Sequence, residues 1–118
     1  MARHNEVGKA GENMAAIWLK EHGYEILHRN WRWDHYEIDI IAIKGDVLSI
    51  IEVKTRMESE FGNPEDSVTK SKFRMLKSAA MRYLHQHPGY SWIQFDILAI
   101  TILHNGEIEY FLLEDVYL

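Results

Sequence analysis

Three residues of this sequence combine type and spacing suited to metal-assisted chemistry: Asp39, Glu52 and Lys54. Glu52-Val53-Lys54 ends an apolar run with the composition of a β-strand, and side chains alternate along a strand, so Glu52 and Lys54 share a face. Glu37 and Asp39 share a face in the same way on the preceding segment. The link between the two segments, Lys44-Gly45-Asp46-Val47, reads as a hairpin, with Gly45 at the first central position as a type II′ turn prefers. Lys44 then pairs with Val47. Counting back two by two places Asp39 opposite Glu52 and Glu37 opposite Lys54, and a slip of one residue would separate the two acids.

Carboxylates directly across a strand pair lie roughly 5 Å apart at Cβ and repel each other. A hard cation relieves that repulsion. Mg²⁺ takes one or two carboxylates, keeps several waters and accepts phosphate oxygens in the remaining places. It polarises a phosphoryl oxygen and generates hydroxide from water near neutral pH. Lys54 is within reach to hold the attacking water or to stabilise charge in the transition state. The competing reading makes Glu52 and Lys54 solvent-facing residues of a half-exposed strand. Ser49-Ile50-Ile51-Glu52-Val53 and Ile38-Asp39-Ile40-Ile41 are too apolar for that, and charges set in apolar strands need partners.

The elements that must carry these residues follow the order α-β-β-β-α-β-β. Glu6 to His22 has Val7, Gly11, Met14, Ala15 and Trp18 at helical spacing, with Gly23 as the stop. Tyr24 to Trp33, Tyr36 to Ile43 and Val47 to Lys54 read as strands, the first ending near Asn30 or Trp33. Thr55 to Asp66 reads as a loop carrying Gly62 and Pro64. A second helix starts between Ser67 and Thr69 and runs to about His87, with Phe73, Leu76, Ala80, Tyr83 and Leu84 as its apolar stripe. Ser91 to Leu103 and Glu107 to Leu113 read as strands around the turn His104-Asn105-Gly106. Such a series gives one α/β domain over residues 1–118, a sheet with helices packed on it.

Composition narrows the function classes. The chain has 118 residues, one domain's worth, and 47 % apolar residues, enough for a core. It has no cysteine, which excludes disulfides and thiolate metal sites. No apolar run approaches about 18 residues, and Met1 to Gly11 lacks the apolar stretch of a signal peptide, so a cytoplasmic protein without a membrane span is expected. The formal net charge of −5 argues mildly against nucleic acid. Its distribution argues the other way. Ser67 to Gln94 has no Asp or Glu but holds Lys70, Lys72, Arg74, Lys77 and Arg82, whereas Asp96 to Leu118 holds five acids and no Lys or Arg.

Lys70, Arg74 and Lys77 fall at i, i+4 and i+7 opposite the apolar stripe, where they can hold a phosphate backbone or form a solvated face. Lys72 lies nearer the core-facing side. Trp31, Arg32, Trp33, His35 and Tyr36 mix aromatic and basic groups as single-strand stacking surfaces do. The plainer reading, a half-buried strand with Trp31 and Trp33 on its apolar face, is favoured. His85 and His87 point different ways on a helix end and make a poor chelate. Glu12, at the border of the first helix's stripe, reads from pattern alone as a solvated glutamate.

Gly11-Glu12-Asn13-Met14-Ala15, Arg29-Asn30, Glu37-Ile38-Asp39-Ile40-Ile41, Glu52-Val53-Lys54-Thr55-Arg56 and Phe61-Gly62, with Lys72, Arg74 and Phe95-Asp96 further on, together resemble the YraN family of small bacterial proteins. The likeness covers nearly the whole chain. One position departs: the family usually has Gly just before the Glu-Ile-Asp stretch, where this chain has Tyr36. That family resembles archaeal Holliday junction resolvases and the restriction-endonuclease-like, PD-(D/E)xK superfamily. The resemblance implies a mixed sheet flanked by helices, a catalytic set of Asp39, Glu52 and Lys54, and Glu12 as an added acid. Asp39, Glu52 and Glu12 would then hold Mg²⁺ or Mn²⁺; Lys70, Lys72, Arg74 and Lys77 of the second helix are the candidates for holding nucleic acid, by their charge and placement.

The leading expectation is a metal-dependent endonuclease acting on DNA, branched or structured DNA included, with a homodimer left open. The alternatives are a non-catalytic nucleic-acid-binding module of the same fold and a protein-interaction domain that pairs through the apolar edge Tyr110 to Leu113.

Overall fold

A computed structural model describes residues 2–59, 66 and 68–116, with side chains from residue 8 onward. The helix α1 spans Ala2–Glu21 and stops at Gly23, whose φ of +90° suits glycine. Strands β1 (Glu25–Trp33), β2 (Tyr36–Lys44) and β3 (Val47–Met57) follow, then α2 (Lys70–Gln86), β4 (Trp92–Ile102) and β5 (Ile108–Leu113). This is the α-β-β-β-α-β-β order that the hydrophobic patterning predicts. Two boundaries shift: α1 starts before Glu6 and β3 continues past Lys54 to Met57; of the two ends expected for β1, the strand takes the farther, Trp33. The expected Gly62–Pro64 loop and the Phe61-Gly62 motif lie outside the described residues.

The five strands form one mixed sheet in the order β1-β2-β3-β4-β5. All neighbours are antiparallel except β3 and β4, which run parallel and are joined through α2. The helices cover opposite faces. On one side Ala15, Ala16 and Leu19 of α1 pack with Ile40, Ala42, Ile51, Leu98 and Ile100. On the other, Leu76, Ala79, Ala80 and Tyr83 of α2 pack with Ile38, Ile41, Leu48, Ile50 and Ile97. β3 and β4 are buried on both sides, which is why their central segments read as continuous apolar runs.

The β2–β3 hairpin forms as its turn chemistry dictates. Gly45 has φ +61° and Lys44 pairs with Val47. The counted register holds through Ile40↔Ile51 and stops there. The predicted pairs Asp39↔Glu52 and Glu37↔Lys54 are absent from the ladder. From this point β2 stays with β1 as far as Trp33↔Tyr36, and β3 stays with β4 as far as Met57↔Ile102. The sheet therefore forks between β2 and β3, with Asp39 and Glu52 at the crotch.

The fork has a visible cause in β2. Ile38 and Ile41 both join the α2-side core, while Ile40 joins the α1-side core. Strict alternation would put Ile38 with Ile40, so the pleat is broken at Asp39. Opposite Asp39 on β1, Asn30 adopts φ +51°, and the ladder skips from Arg29↔Ile40 to Trp31↔Ile38. Asparagine tolerates this left-handed conformation better than most residues.

Candidate metal centre

Asp39 sits where β2 parts from β3 and where its ladder with β1 skips one pair. Its Oδ2 accepts a hydrogen bond from the Val53 backbone N–H at 2.9 Å, serving a β3 amide that the β2 ladder no longer reaches. Burial, and then the charge of Glu52, push the Asp39 carboxyl up to about 7, against the lowering effects of the Val53 amide and Lys72. Glu52 is thus its strongest electrostatic neighbour. The Glu52 side chain is only 13 % exposed and ion-pairs with Lys72 Nζ at 2.6 Å. Lys72 reaches it from the first turn of α2, which is capped by the Thr69 hydroxyl on the Lys72 amide.

Glu12 approaches from α1. Gly11 makes this possible: a Cβ there would overlap the Thr55 hydroxyl, so only glycine lets the helix lie this close to β3. The Asn30 amide lies against two carboxylate oxygens, so the orientation that satisfies it puts the nitrogen there, donating to Glu12 Oε1 at 2.6 Å and to Glu37 Oε1 at 3.2 Å. Arg29 Nη2 donates to Asn13 Oδ1 at 2.7 Å. The sequence segments Gly11-Glu12-Asn13 and Arg29-Asn30 therefore meet side chain to side chain. With Lys9 they line an open groove of about 380 Å³. Burial raises the Glu12 pKa, Glu37 raises it further, and Arg29 and the Asn30 hydrogen bond oppose the rise.

Glu12, Asp39, Glu52 and Glu37 thus form one electrostatic group at the fork, held between Arg29 and Lys72. Among the described residues, no three His, Asp or Glu side chains already stand together as a metal-ligand cluster. Glu52 is engaged by Lys72 and Asp39 by Val53. The donor set nevertheless suits a hard divalent cation: Asp39 and Glu52 are oxygen donors, charged in the same sense and partly withdrawn from water. Mg²⁺ asks for one or two such carboxylates.

Residues 11–100 match the family described as Uncharacterised protein family UPF0102. The chain belongs to this family. A UPF0102 protein of Bacteroides thetaiotaomicron is 47 % identical over 106 residues, covering 90 % of this chain and 87 % of the relative. One of Parabacteroides distasonis is 43 % identical over 106 residues, covering 90 % and 88 %. One of Clostridium perfringens is 40 % identical over 120 residues, covering 99 % and 98 %. UPF0102 is the YraN family to which the sequence motifs pointed.

The remaining candidate residues of this UPF0102 chain divide into two groups. Lys54 shares the α2-side face of β3 with Glu52, is half-buried, and makes no ion pair among the described residues. Glu37, placed opposite Lys54 by the hairpin count, ion-pairs with Arg32 at 3.4 Å and stands beside Glu12 and Asn30. Lys72 points to the site, as its place on the core-facing side of α2 suggests. Lys70, Arg74 and Lys77 are exposed on α2, and Lys77 lies over the Phe73 ring at 5.9 Å. Sequence reasoning gave no site role to Asn30. Its left-handed backbone left no trace beyond the tolerance of asparagine for that region. Among the described residues, no helix is long and apolar enough to cross a membrane.

Proposed function

We propose that this protein is a divalent-metal-dependent phosphodiester hydrolase that cuts DNA. The observation that carries this reading is the Asp39–Glu52 pair at the fork. Two acids are set in apolar strands, and one of them is driven to about 7 by burial and by the other. Such an arrangement is costly in the apo protein and is explained by a cation it is built to hold.

Asp39 and Glu52 would hold Mg²⁺ or Mn²⁺, with Glu12 as the acid on the α1 side. When bound, the ion supplies Lewis-acid polarisation of a phosphoryl oxygen and a more acidic water. Glu52 must first turn from the Lys72 ammonium. Lys72, so released, and Lys54 on the same face of the sheet leave two ammonium groups for the negative charge that builds on the phosphate. Val53 keeps Asp39 oriented through its amide hydrogen bond. Asn30, donating to both Glu12 and Glu37, fixes where the two carboxylates stand. The exposed Lys70, Arg74 and Lys77 offer a sequence-independent track for the phosphate backbone.

The test is a cleavage screen over single-stranded, duplex, flapped and four-way DNA with Mg²⁺ and with Mn²⁺. The wild type should cut at least one substrate. Asp39→Asn and Glu52→Gln should cut none, and Lys54→Ala should lose about 10²-fold or more, the scale of one transition-state charge stabiliser. Metal-independent DNA binding with no cleavage of any substrate would favour the binding-module reading, which the occupied Lys72–Glu52 pair also accommodates.

A further inference from the structure

The aromatic and basic residues around the β1–β2 turn separate into two sets. Trp31 belongs to the fold: its ring meets the buried Tyr83 edge-on at 5.4 Å and packs on the α2-side core. Trp33, one pleat further out, is half-buried and is not among the residues packed on that core, whereas its neighbour Tyr36 is half-buried and packs against it. Trp33 pairs with Tyr36 across a two-residue turn in which Asp34 has φ +58°. The Trp33 and Tyr36 ring centroids are 5.5 Å apart, and the exposed His35 ring stands 4.4 Å from Tyr36. The Arg82 guanidinium, from the far part of α2, lies 5.5 Å from the Trp33 ring centroid. Arg82 is exposed and meets no carboxylate among the described residues.

We propose that this hairpin tip stacks an unpaired DNA base on Trp33 and Tyr36, with Arg82 beside the adjoining phosphate. The proposal rests on the nuclease reading and names its substrate class: DNA with unpaired nucleotides next to the cleavage point. Three features favour a nucleotide as the occupant. Trp33 and Tyr36 are half-buried aromatic rings that keep part of their surface in solvent, and every base has a π-face to place there. An unpaired guanidinium over an aromatic ring can serve both base and phosphate. Tyr36 is three residues from Asp39 on the same strand, roughly 10 Å at about 3.3 Å per residue. That is short against the roughly 34 Å of a duplex turn. A base held at the tip therefore leaves its own backbone, or that of a near neighbour, at the fork.

The test is binding of a fluorescent twelve-residue oligo-dT and of a blunt duplex, both in EDTA. Each is measured with the wild type, Trp33→Leu, Trp33→Phe and Arg82→Ala. Trp33→Leu should weaken oligo-dT binding at least about fivefold, the low end for losing one stacked base, and Trp33→Phe should restore most of it. Arg82→Ala, an exposed change that leaves the core untouched, should weaken oligo-dT binding severalfold. Duplex binding should change less than twofold in all three. Oligo-dT affinities of Arg82→Ala and of folded Trp33→Leu within twofold of wild type would overturn the proposal. If Trp33→Leu does not fold, Arg82→Ala alone decides. Asp39→Asn should keep the oligo-dT binding. A wild type that cuts nothing yet loses oligo-dT binding on Trp33→Leu and Arg82→Ala thus counts against the nuclease reading alone, and a wild type that cuts DNA but keeps its oligo-dT binding in both variants counts against the tip alone.

Discussion

The Asp39 carboxylate and the Val53 amide meet at 2.9 Å across the fork between β2 and β3. This contact sets two effects of Asp39 against each other: its oxygen satisfies a backbone donor, while its charge opposes Glu52. Asp39→Asn keeps an acceptor for Val53 and removes the charge. Asp39→Ala removes both and leaves the amide unsatisfied, at about 1–3 kcal/mol. Without divalent ions at pH 8, urea denaturation should show Asp39→Asn at least as stable as wild type and Asp39→Ala below it by about that amount. Equal stabilities for the Asn and Ala variants would mean that the Val53 bond contributes nothing.

The pH dependence of stability follows from the same residue. Asp39 is pushed from its ordinary 3.8 up to about 7 by burial and by Glu52. Between those values the folded chain holds a proton that the unfolded chain has lost. The contribution is therefore full below the unfolded pKa and is lost as pH rises through about 7. Asp96, buried and pushed up by that burial despite hydrogen bonds from the Asp115 amide and Gln94, adds to the same trend. Thermal unfolding in EDTA should show Tm falling from pH 5 to pH 8, with a shallower fall in Asp39→Asn. A wild-type Tm that rises over this range would contradict a protonated acid at the fork.

Lys72 occupies Glu52 at 2.6 Å and so competes with any cation there. Lys72→Met, which keeps most of the stem, should tighten Mn²⁺ binding severalfold in the absence of DNA, read by titration calorimetry. Weaker binding would show instead that Lys72 orients Glu52 for the ion.

The exposed face of α2 should carry phosphate contacts. Replacing Lys70, Arg74 and Lys77 together with Ala should weaken duplex binding and lower its salt dependence by up to about three units of log–log slope. An unchanged slope would make that face a solvated surface only.

Much of this was legible before the structure, and the limits are instructive. Gly45-Asp46 has the chemistry of one turn type, so the register from Lys44↔Val47 to Ile40↔Ile51 could be counted. The count failed one pair later because it assumes an unbroken pleat, and the reversal between Ile38 and Ile40 has no signature in residue types. Trp31 and Trp33 were rightly placed on one face. Both rings are half-buried, as the plainer reading of that strand expected, and what separates them is tertiary: Trp31 packs on the α2-side core and Trp33 is not among the residues that do. Glu12 looked solvated from helical periodicity alone. Its place at the site depends on how closely α1 crosses Thr55, which Gly11 permits and no periodicity encodes. The Lys72–Glu52 contact likewise depends on the path of α2 across the sheet.

The central claim is that Asp39 and Glu52 together hold a divalent cation, and titration calorimetry with Mn²⁺ at pH 8, with a branched DNA present, tests it most directly. The wild type should bind the ion at or below millimolar concentration. Asp39→Asn and Glu52→Gln should lose that binding while keeping their fold, and Lys54→Ala should retain it or bind slightly more tightly, since it removes a nearby positive charge. A wild type that takes up no Mn²⁺ at millimolar concentration, or an Asp39→Asn variant that binds it as the wild type does, would contradict the account.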